Sequence, residues 1–315
     1  MPEGSSLTGG RLKTLKKTSE KSKSKIKTKK LYGKLSGYGY ILPLAIILIS
    51  FYVLPIIMSF LLSFTKYNIM KAPTYAGLKN YLKLFRDKTF LESVKNTFIF
   101  MIGVVPIQTI GAMLMATWLN SIKASFLGKF VKGAMFVPVI SSMILTSIIW
   151  RILLNGESSP LNLFVGMFGF SSDWLGDTNL ALYTLMGICI WKNIGYFMIL
   201  YTAGLMDIPK VYYEAAQIDG ANKIQEFFKI TIPQLKKTTI IVVFLGIIWS
   251  FQIFDLVYSL TGGGPGNSTM TMVMHIYNVN FKQFNTGYAM AIANVLFLIN
   301  AILAIAQKKF LKVEE

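Results

Sequence analysis

A single cysteine, Cys189, among 315 residues excludes an intrachain disulfide. A single histidine, His275, lies far from it, so no Cys/His metal site forms unless several carboxylates converge. Acid is scarce: 14 Asp plus Glu stand against 32 Lys plus Arg, a net charge of +18. A phosphate loop of the form G-x-x-x-x-G-K-[ST] is missing. Gly33-Lys34 runs into Leu35 and Gly128-Lys129 into Phe130, which excludes nucleotide binding by that motif. Charge of either sign is missing from long stretches of the chain. With 53% hydrophobic residues and only 15% charged, this composition departs from that of soluble domains and points to a membrane protein.

What is present divides sharply. Residues 1–37 hold eleven Lys or Arg against Glu3 and Glu20. Too polar to bury a core, the segment reads as a disordered basic cytoplasmic tail that orients the first helix. No aromatic interleaves its lysines until Tyr32, which argues against nucleic acid as a partner, and the positive excess suits anionic membrane lipid.

From residue 38 to 315 the chain reads as a transmembrane domain. Apolar runs cover 38–64, 97–120, 133–152, 180–206, 238–260 and 283–307. Each approaches or exceeds the roughly 20 residues of a spanning helix. They are too long and continuous for barrel strands. The first run is also too long for a signal-peptide core and is expected to be retained. The expectation is an all-α membrane protein with six transmembrane helices and both termini on one side.

Lysine places that side. The tail, Lys123, Lys129 and Lys132 after the second run, Lys210, Lys223, Lys229, Lys236 and Lys237 after the fourth, and Lys308, Lys309 and Lys312 at the end share one face, predicted to be cytoplasmic. The loop after the first run is an exception. It carries Lys66, Lys71, Lys79, Lys83, Arg86, Lys88 and Lys95, with Leu78, Tyr81, Leu82 and Phe85 at the spacing of an amphipathic interfacial helix. Between the third and fourth runs, residues 155–177 are apolar only in their middle, a stretch too short to span, which reads as a hairpin dipping into the outer side. "TGGGPGNST", 261–269, reads as a turn-rich loop.

The segment 208–233 is the polar element inside this apolar chain. Asp207 and Pro209 suit a helix start and Gly220 a helix end, which predicts a helix over 208–219. Val211, Ala215 and Ile218 form its apolar stripe, with Glu214 on another face. A second helix over about 222–230 is expected to bury Ile224, Phe227 and Phe228, and Pro233 marks entry to the fifth span. The residues leave two readings open: a loop that packs on itself, or a small-residue surface that docks a partner through Glu214.

"EAAQIDG", nine residues and then "ITIP" resemble the signature of ABC-type importer permeases, with Ile232 in place of the usual Leu. "AGLMDIPKVYYEAAQIDGA", "FDLVYSLTGGGPGNSTMT" and "GYAMAIANVLF" resemble the carbohydrate-uptake branch, specifically its first-permease type related to the larger maltose-permease subunit. The likeness covers nearly everything from residue 38 onward. It implies a type I ABC importer permease fold whose cytoplasmic coupling helices fit a groove on an ATPase. Glu214, Ala215, Ala216, Asp219, Gly220 and Pro233 are the matching coupling positions. It further implies a heterodimer with a second homologous permease subunit, two ABC ATPase subunits that bind ATP and Mg, and an extracellular sugar-binding protein. The cargo implied is a sugar or oligosaccharide, and the location the bacterial cell membrane. No cofactor or metal of its own and no catalytic residue is expected: paired carboxylates, a His cluster or a nucleophile–base set are not found at one membrane depth. The rival reading is an ion-coupled secondary sugar transporter.

Polar groups inside the spans are the candidates for a sugar route, since they cost free energy unless satisfied. They are Trp249, Gln252, Asp255 and Tyr258 on the fifth span, Asn294 on the sixth, where Asn300 also stands out, and Lys192 and Asn193 on the fourth, near Tyr196. Gln252 and Asp255 are spaced to share a helix face. Interhelical bonding is the competing role for single amides, and an ion pair the competing role for Asp255 with Lys192.

Overall fold

The computed structural model describes residues 40–122, 125–156, 159–169 and 171–312. The basic segment 1–37 lies outside the described residues. Two compact units divide the chain, Met1–Met58 and Ser59–Glu315.

Four helices are long and apolar enough to cross a membrane: α1 (Tyr40–Ser63), α3 (Lys88–Ser121), α7 (Ala181–Met206) and α13, which runs Thr286–Lys312 with its apolar part at Thr286–Gln307. The number rises to six if each of two bent pairs is one span. The first pair is α4 (Phe126–Ile140) with α5 (Met143–Leu154), bent by 103°; the second is α9 (Lys223–Gln234) with α10 (Lys236–Phe251), bent by 67°. Short elements lie between them: strands β1 (Thr65–Asn68) and β2 (Lys71–Tyr75), and helices α2 (Lys79–Leu84), α6 (Pro160–Gly166), α8 (Lys210–Ile218), α11 (Asp255–Leu260) and α12 (Met272–Tyr277), the last continued by a π-helical turn over Asn278–Lys282.

α3 and α7 form the centre of the second unit, packed along each other. Phe100 and Val104 meet Leu185, Met186 and Cys189 in one buried cluster; Ala112 and Ala116 meet Phe197, Met198 and Tyr201 in another. Small residues let the backbones approach, as is usual between membrane helices. At Gly195 a Cβ would strike the Met135 carbonyl, so α4 lies directly on α7 there. A third cluster joins Leu84, Phe90, Met272, Val279 and Tyr288.

Several expectations change. The run 133–152 is not one straight helix. α4 ends at Ile140, and Ser141 and Ser142 are extended, with ψ of 138° and 141°. The fifth span, expected over 238–260, stops at Phe251 and resumes only as α11. α3 starts nine residues before the apolar run at 97, at a true cap: the Asp87 carboxylate accepts from the Phe90 amide at 3.2 Å. The loop after the first span contains, besides α2, an antiparallel hairpin that pairs Thr65 with Tyr75 and Lys66 with Thr74. Asn80 fixes it to the end of α1 by donating to the Ser63 and Thr65 carbonyls at 2.8 and 2.9 Å.

"TGGGPGNST" is a clamped turn. Gly262, Gly263 and Gly266 take positive φ, and Asn96 of α3 donates to the Asn267 and Met270 carbonyls at 2.9 and 3.1 Å. Thr269 donates to the Gly264 carbonyl at 2.7 Å. The glycines supply the left-handed backbone that the closure requires.

Candidate functional site

The polar segment folds as a braced helix pair. α8 closes with a Schellman motif: Ala221 N–H reaches the Ala216 carbonyl at 2.8 Å and Gly220 N–H the Gln217 carbonyl at 3.1 Å. Gly220 makes the reversal at φ +78°, a conformation that only glycine adopts freely. α9 opens with a capping box. Asn222 accepts from the Gln225 amide at 2.8 Å while the Gln225 side chain accepts from the Asn222 amide at 2.9 Å. Asp207 does not cap α8; it ends α7, and Pro209 precedes the first turn of α8 without a side-chain bond.

Two ties hold the pair together. Gln217 donates to Glu226 at 3.0 Å, and the Tyr213 and Thr231 hydroxyls meet at 2.9 Å. Glu226 is only 6% exposed and also accepts from Lys223 at 2.9 Å. That Lys223 bond, aided by Gln217 and opposed by burial, holds its carboxyl below the ordinary value. Tyr213 packs beside Leu205, Ile208 and Leu235 at the foot of the bundle.

The inward positions thus belong to Tyr213, Glu226 and Thr231, and this overturns the expected burial of Ile224 and Phe228. Both are exposed, and Phe227 is half-buried. Val211, Ala215 and Ile218 face outward as well, Ile218 at 86%. Among the described residues Glu214 makes no hydrogen bond or ion pair. Reading α9 by hydrophobic spacing missed Glu226; the Asn222-x-x-Gln225 cap and the charge three residues on from Lys223 were the available signals.

A second feature is a cleft of about 240 Å³ where α10 breaks, between α10, α7 and the start of α5. Asn193, Trp249, Gln252 and Asp255 line it together with Ser250 and Phe254. Asn193 donates to Gln108 at 3.2 Å, and the Trp249 ring lies against Tyr196 and Phe197 with centroids 5.0 and 5.3 Å away. The break frees Gln252 and Asp255 from one continuous helix, yet both still border the same cavity.

Four residues singled out in the sequence stand apart from this cleft. Tyr258 stacks on Phe254 at 5.3 Å and meets Tyr277 edge-on. Asn294 accepts from Ser59 at 3.1 Å and donates to Tyr81 at 3.3 Å, joining α13 to α2. Asn300 donates to the Leu296 carbonyl of its own helix. Lys192 is buried and unpaired with Asp255; its ammonium donates to the Pro138 and Ser141 carbonyls at 2.5 and 2.6 Å, the free end of α4. Arg151 serves α11 alike, donating to the Ser259 and Leu260 carbonyls.

Residues 81–312 match the family described as the binding-protein-dependent transport system inner membrane component. The chain belongs to that family. Among relatives of this transport component, the lactose transport system permease protein LacF of Rhizobium radiobacter is 34% identical, over 88% of this chain and 94% of that protein. The arabinooligosaccharides transport system permease protein AraP of Bacillus subtilis is 31% identical, over 88% of each. The fold resembles a chain in the crystal structure of a bacterial alginate ABC transporter bound to an alginate pentasaccharide-loaded periplasmic protein. Its TM-score is 0.79 at 19% identity, over 89% of this chain and 94% of that one.

Proposed function

We propose that this chain is one permease subunit of an ATP-driven importer that takes up a sugar or oligosaccharide. The relatives named for lactose and arabinooligosaccharide transport support the cargo class. The observation that carries the mechanism is the braced pair α8–α9. It presents an outward face of Val211, Ala215, Ile218, Ile224 and Phe228 with an unpaired Glu214, on the segment that matches the permease signature.

In this reading the outward face seats in a groove of an ATPase subunit. Two such subunits bind ATP and Mg, a second homologous permease completes the pathway, and an extracellular solute-binding protein delivers the cargo. Both termini and the α8–α9 pair lie in the cytoplasm, as their lysines favour. The polar ties from Gln217 to Glu226 and from Tyr213 to Thr231 let the pair move as one body. ATP-driven closure of the motor subunits then becomes rotation of the spans and alternate opening of the path. Asn193, Trp249, Gln252 and Asp255 offer the aromatic face, amides and carboxylate that recognise a polyhydroxylated ring.

The test is sugar uptake in cells carrying Glu214→Ala or Gly220→Val, together with recovery of the ATPase alongside the affinity-tagged permease. Loss of uptake with reduced ATPase recovery is expected. Unchanged uptake and unchanged assembly would overturn the coupling role. Uptake that survives ATP depletion but collapses with a proton ionophore would favour the ion-coupled secondary transporter.

A further inference from the structure

A cavity of about 580 Å³ lies under the hairpin β1–β2, between it and the residues that lead into α13. Among the described residues, Lys66, Lys71 and Lys79 line it with Asn68, Asn80 and Asn285, and no carboxylate does. Among the described residues none of these three ammonium groups has an ion-pair or hydrogen-bond partner. Between Ser63 and Asp87 the sequence holds five basic residues and no acidic one, so no local carboxylate answers this charge.

Chain connectivity sets the depth of the cavity. Lys66 follows the apolar helix that ends at Ser63 by three residues, and Asn285 immediately precedes the apolar helix that begins at Thr286. The cavity therefore sits where two apolar helices leave the hydrocarbon, at the level of lipid headgroups. The N-terminal end of α13, a 27-residue helix with no acid in its first turn, adds positive potential from the same side. Beside the lysines, the hairpin tip exposes Ile69 and Met70, while Leu78, Leu82 and Phe85 are exposed on and around α2. Apolar tips next to unpaired lysines are the arrangement of a surface that enters the acyl boundary while its cations reach headgroups.

We propose that this cavity is a binding site for a phosphate oxyanion, supplied by the headgroup of an anionic phospholipid. The lysines neutralise the phosphate, the Asn285 amide lines its polar wall while Asn80 holds the hairpin in place, and Ile69 and Met70 meet the chains of the same lipid. Such a lipid also answers the concentration of positive charge in this loop.

The test uses the full chain in nanodiscs of phosphatidylcholine with a minor fraction of phosphatidylglycerol. The protein is then extracted in mild detergent, and retained lipid is counted by native mass spectrometry. Wild type is expected to retain phosphatidylglycerol in preference to phosphatidylcholine. Each lysine removed should weaken retention about fivefold, so a Lys66→Gln/Lys71→Gln/Lys79→Gln variant should be weakened on the order of a hundredfold, while Lys95→Gln, on α3 outside the cavity, should match wild type. Equal retention by the triple variant overturns the proposal. Lys71→Gln alone, on an exposed strand, supplies the same reading at one-step magnitude should the triple variant fail to fold. A second arm adds inorganic phosphate to lipid-stripped protein. Thermal protection by free phosphate without phosphatidylglycerol retention would assign the oxyanion to solution and overturn the lipid source. Loss of solute-binding-protein recovery in the triple variant, with lipid retention unchanged, would make the cavity a protein interface and overturn it too.

Discussion

The Lys192 ammonium of α7 lies 2.5 Å from the carbonyl oxygen of Pro138 on α4. With its second bond to Ser141 it satisfies the last turn of α4 just where the chain bends by 103° into α5. The cation stands at a helix C-terminus, where free carbonyls and the macrodipole both favour it. Lys192→Met takes this donor from the buried Pro138 carbonyl and from the half-buried Ser141 carbonyl. A buried unsatisfied group costs about 1–3 kcal/mol, so the variant is expected to unfold at a lower temperature than wild type in detergent. Lys192→Arg should recover part of the difference. A melting temperature unchanged in Lys192→Met would show that the bend does not depend on this donor.

This bend also marks where the sequence stops being informative. Within the run 133–152, residues 133–150 carry no charge, so hydropathy sees one helix, and the residue that stabilises its break is some fifty positions away. α7, by contrast, was readable almost to the residue because its apolar run is long and bounded by polar turns. The α8 turn was readable through Gly220, whose positive φ is a local requirement. The burial pattern of α9 was not: Glu226 becomes an inward residue only through Gln217 on the other helix. Asn193, Trp249, Gln252 and Asp255 converge on a cleft, whereas Asn294, chosen on the same reasoning, bonds Ser59 and Tyr81. Residue type identifies a polar group that needs a partner, and only packing decides which partner it meets.

Gln217 and Glu226 supply the next expectation. Their bond joins α8 to α9 across the Gly220 reversal. A double-mutant cycle of Gln217→Ala and Glu226→Ala, followed by thermal unfolding, should give a coupling of roughly 0.5–1.5 kcal/mol, the usual net worth of such a bond. Amide exchange in 210–231 should quicken in either single variant. Independent, additive effects would mean that the two helices are held by other contacts.

Acid sensitivity is expected from the only histidine. His275 is 3% exposed, with Nε2 3.6 Å from the Asp87 carboxylate, which also accepts from the Tyr288 hydroxyl at 2.7 Å. Burial pushes the His275 pKa down; the Asp87 charge opposes this without reversing it, and nearby Lys83 adds to the depression. For Asp87, burial pushes the pKa up, but the Tyr288 and Phe90 hydrogen bonds and His275 hold it below the ordinary value. Both folded-state values are depressed, so the unfolded chain binds more protons and stability falls on acidification. The histidine contribution is complete above its ordinary pKa of about 6.5 and is lost below it; the aspartate contribution is lost only below about 3.9. Melting temperatures measured from pH 7.5 to 5 should therefore fall more steeply for wild type than for His275→Gln. Parallel curves would remove His275 as the cause.

The outward face of α8–α9 allows assembly to be separated from folding. Ile218 and Phe228 are 86% and 62% exposed, so replacing them by Asp removes little packing within this chain. Exposed substitutions of this kind usually change stability by within about 0.5 kcal/mol. Ile218→Asp with Phe228→Asp is therefore expected to leave the melting temperature of the isolated chain nearly unchanged while recovery of ATPase on the tagged permease falls. A large drop in melting temperature with normal ATPase recovery would place these side chains in the internal packing of the permease instead.

The cleft at the break of α10 should govern affinity for cargo. Trp249 offers a ring face supported by Tyr196 and Phe197, and Asp255 is an exposed carboxylate on the same cavity. Stacking of a sugar on an aromatic ring and a hydrogen bond from its hydroxyl to a carboxylate both act on bound cargo. The carboxylate bond is the stronger kind, at about 1.5–3 kcal/mol. Asp255→Asn keeps the shape and one acceptor but removes the charge, and should raise the half-saturating concentration for uptake by roughly tenfold, about 1.4 kcal/mol. Trp249→Ala should do the same through lost stacking. Tyr258→Phe, whose ring stacks on the cleft-lining Phe254 without itself bordering the cavity, should leave uptake near wild type. If Asp255→Asn and Tyr258→Phe transport alike over a full concentration series, the cleft is not where the cargo is recognised, and the polar groups at the break serve only to end α10.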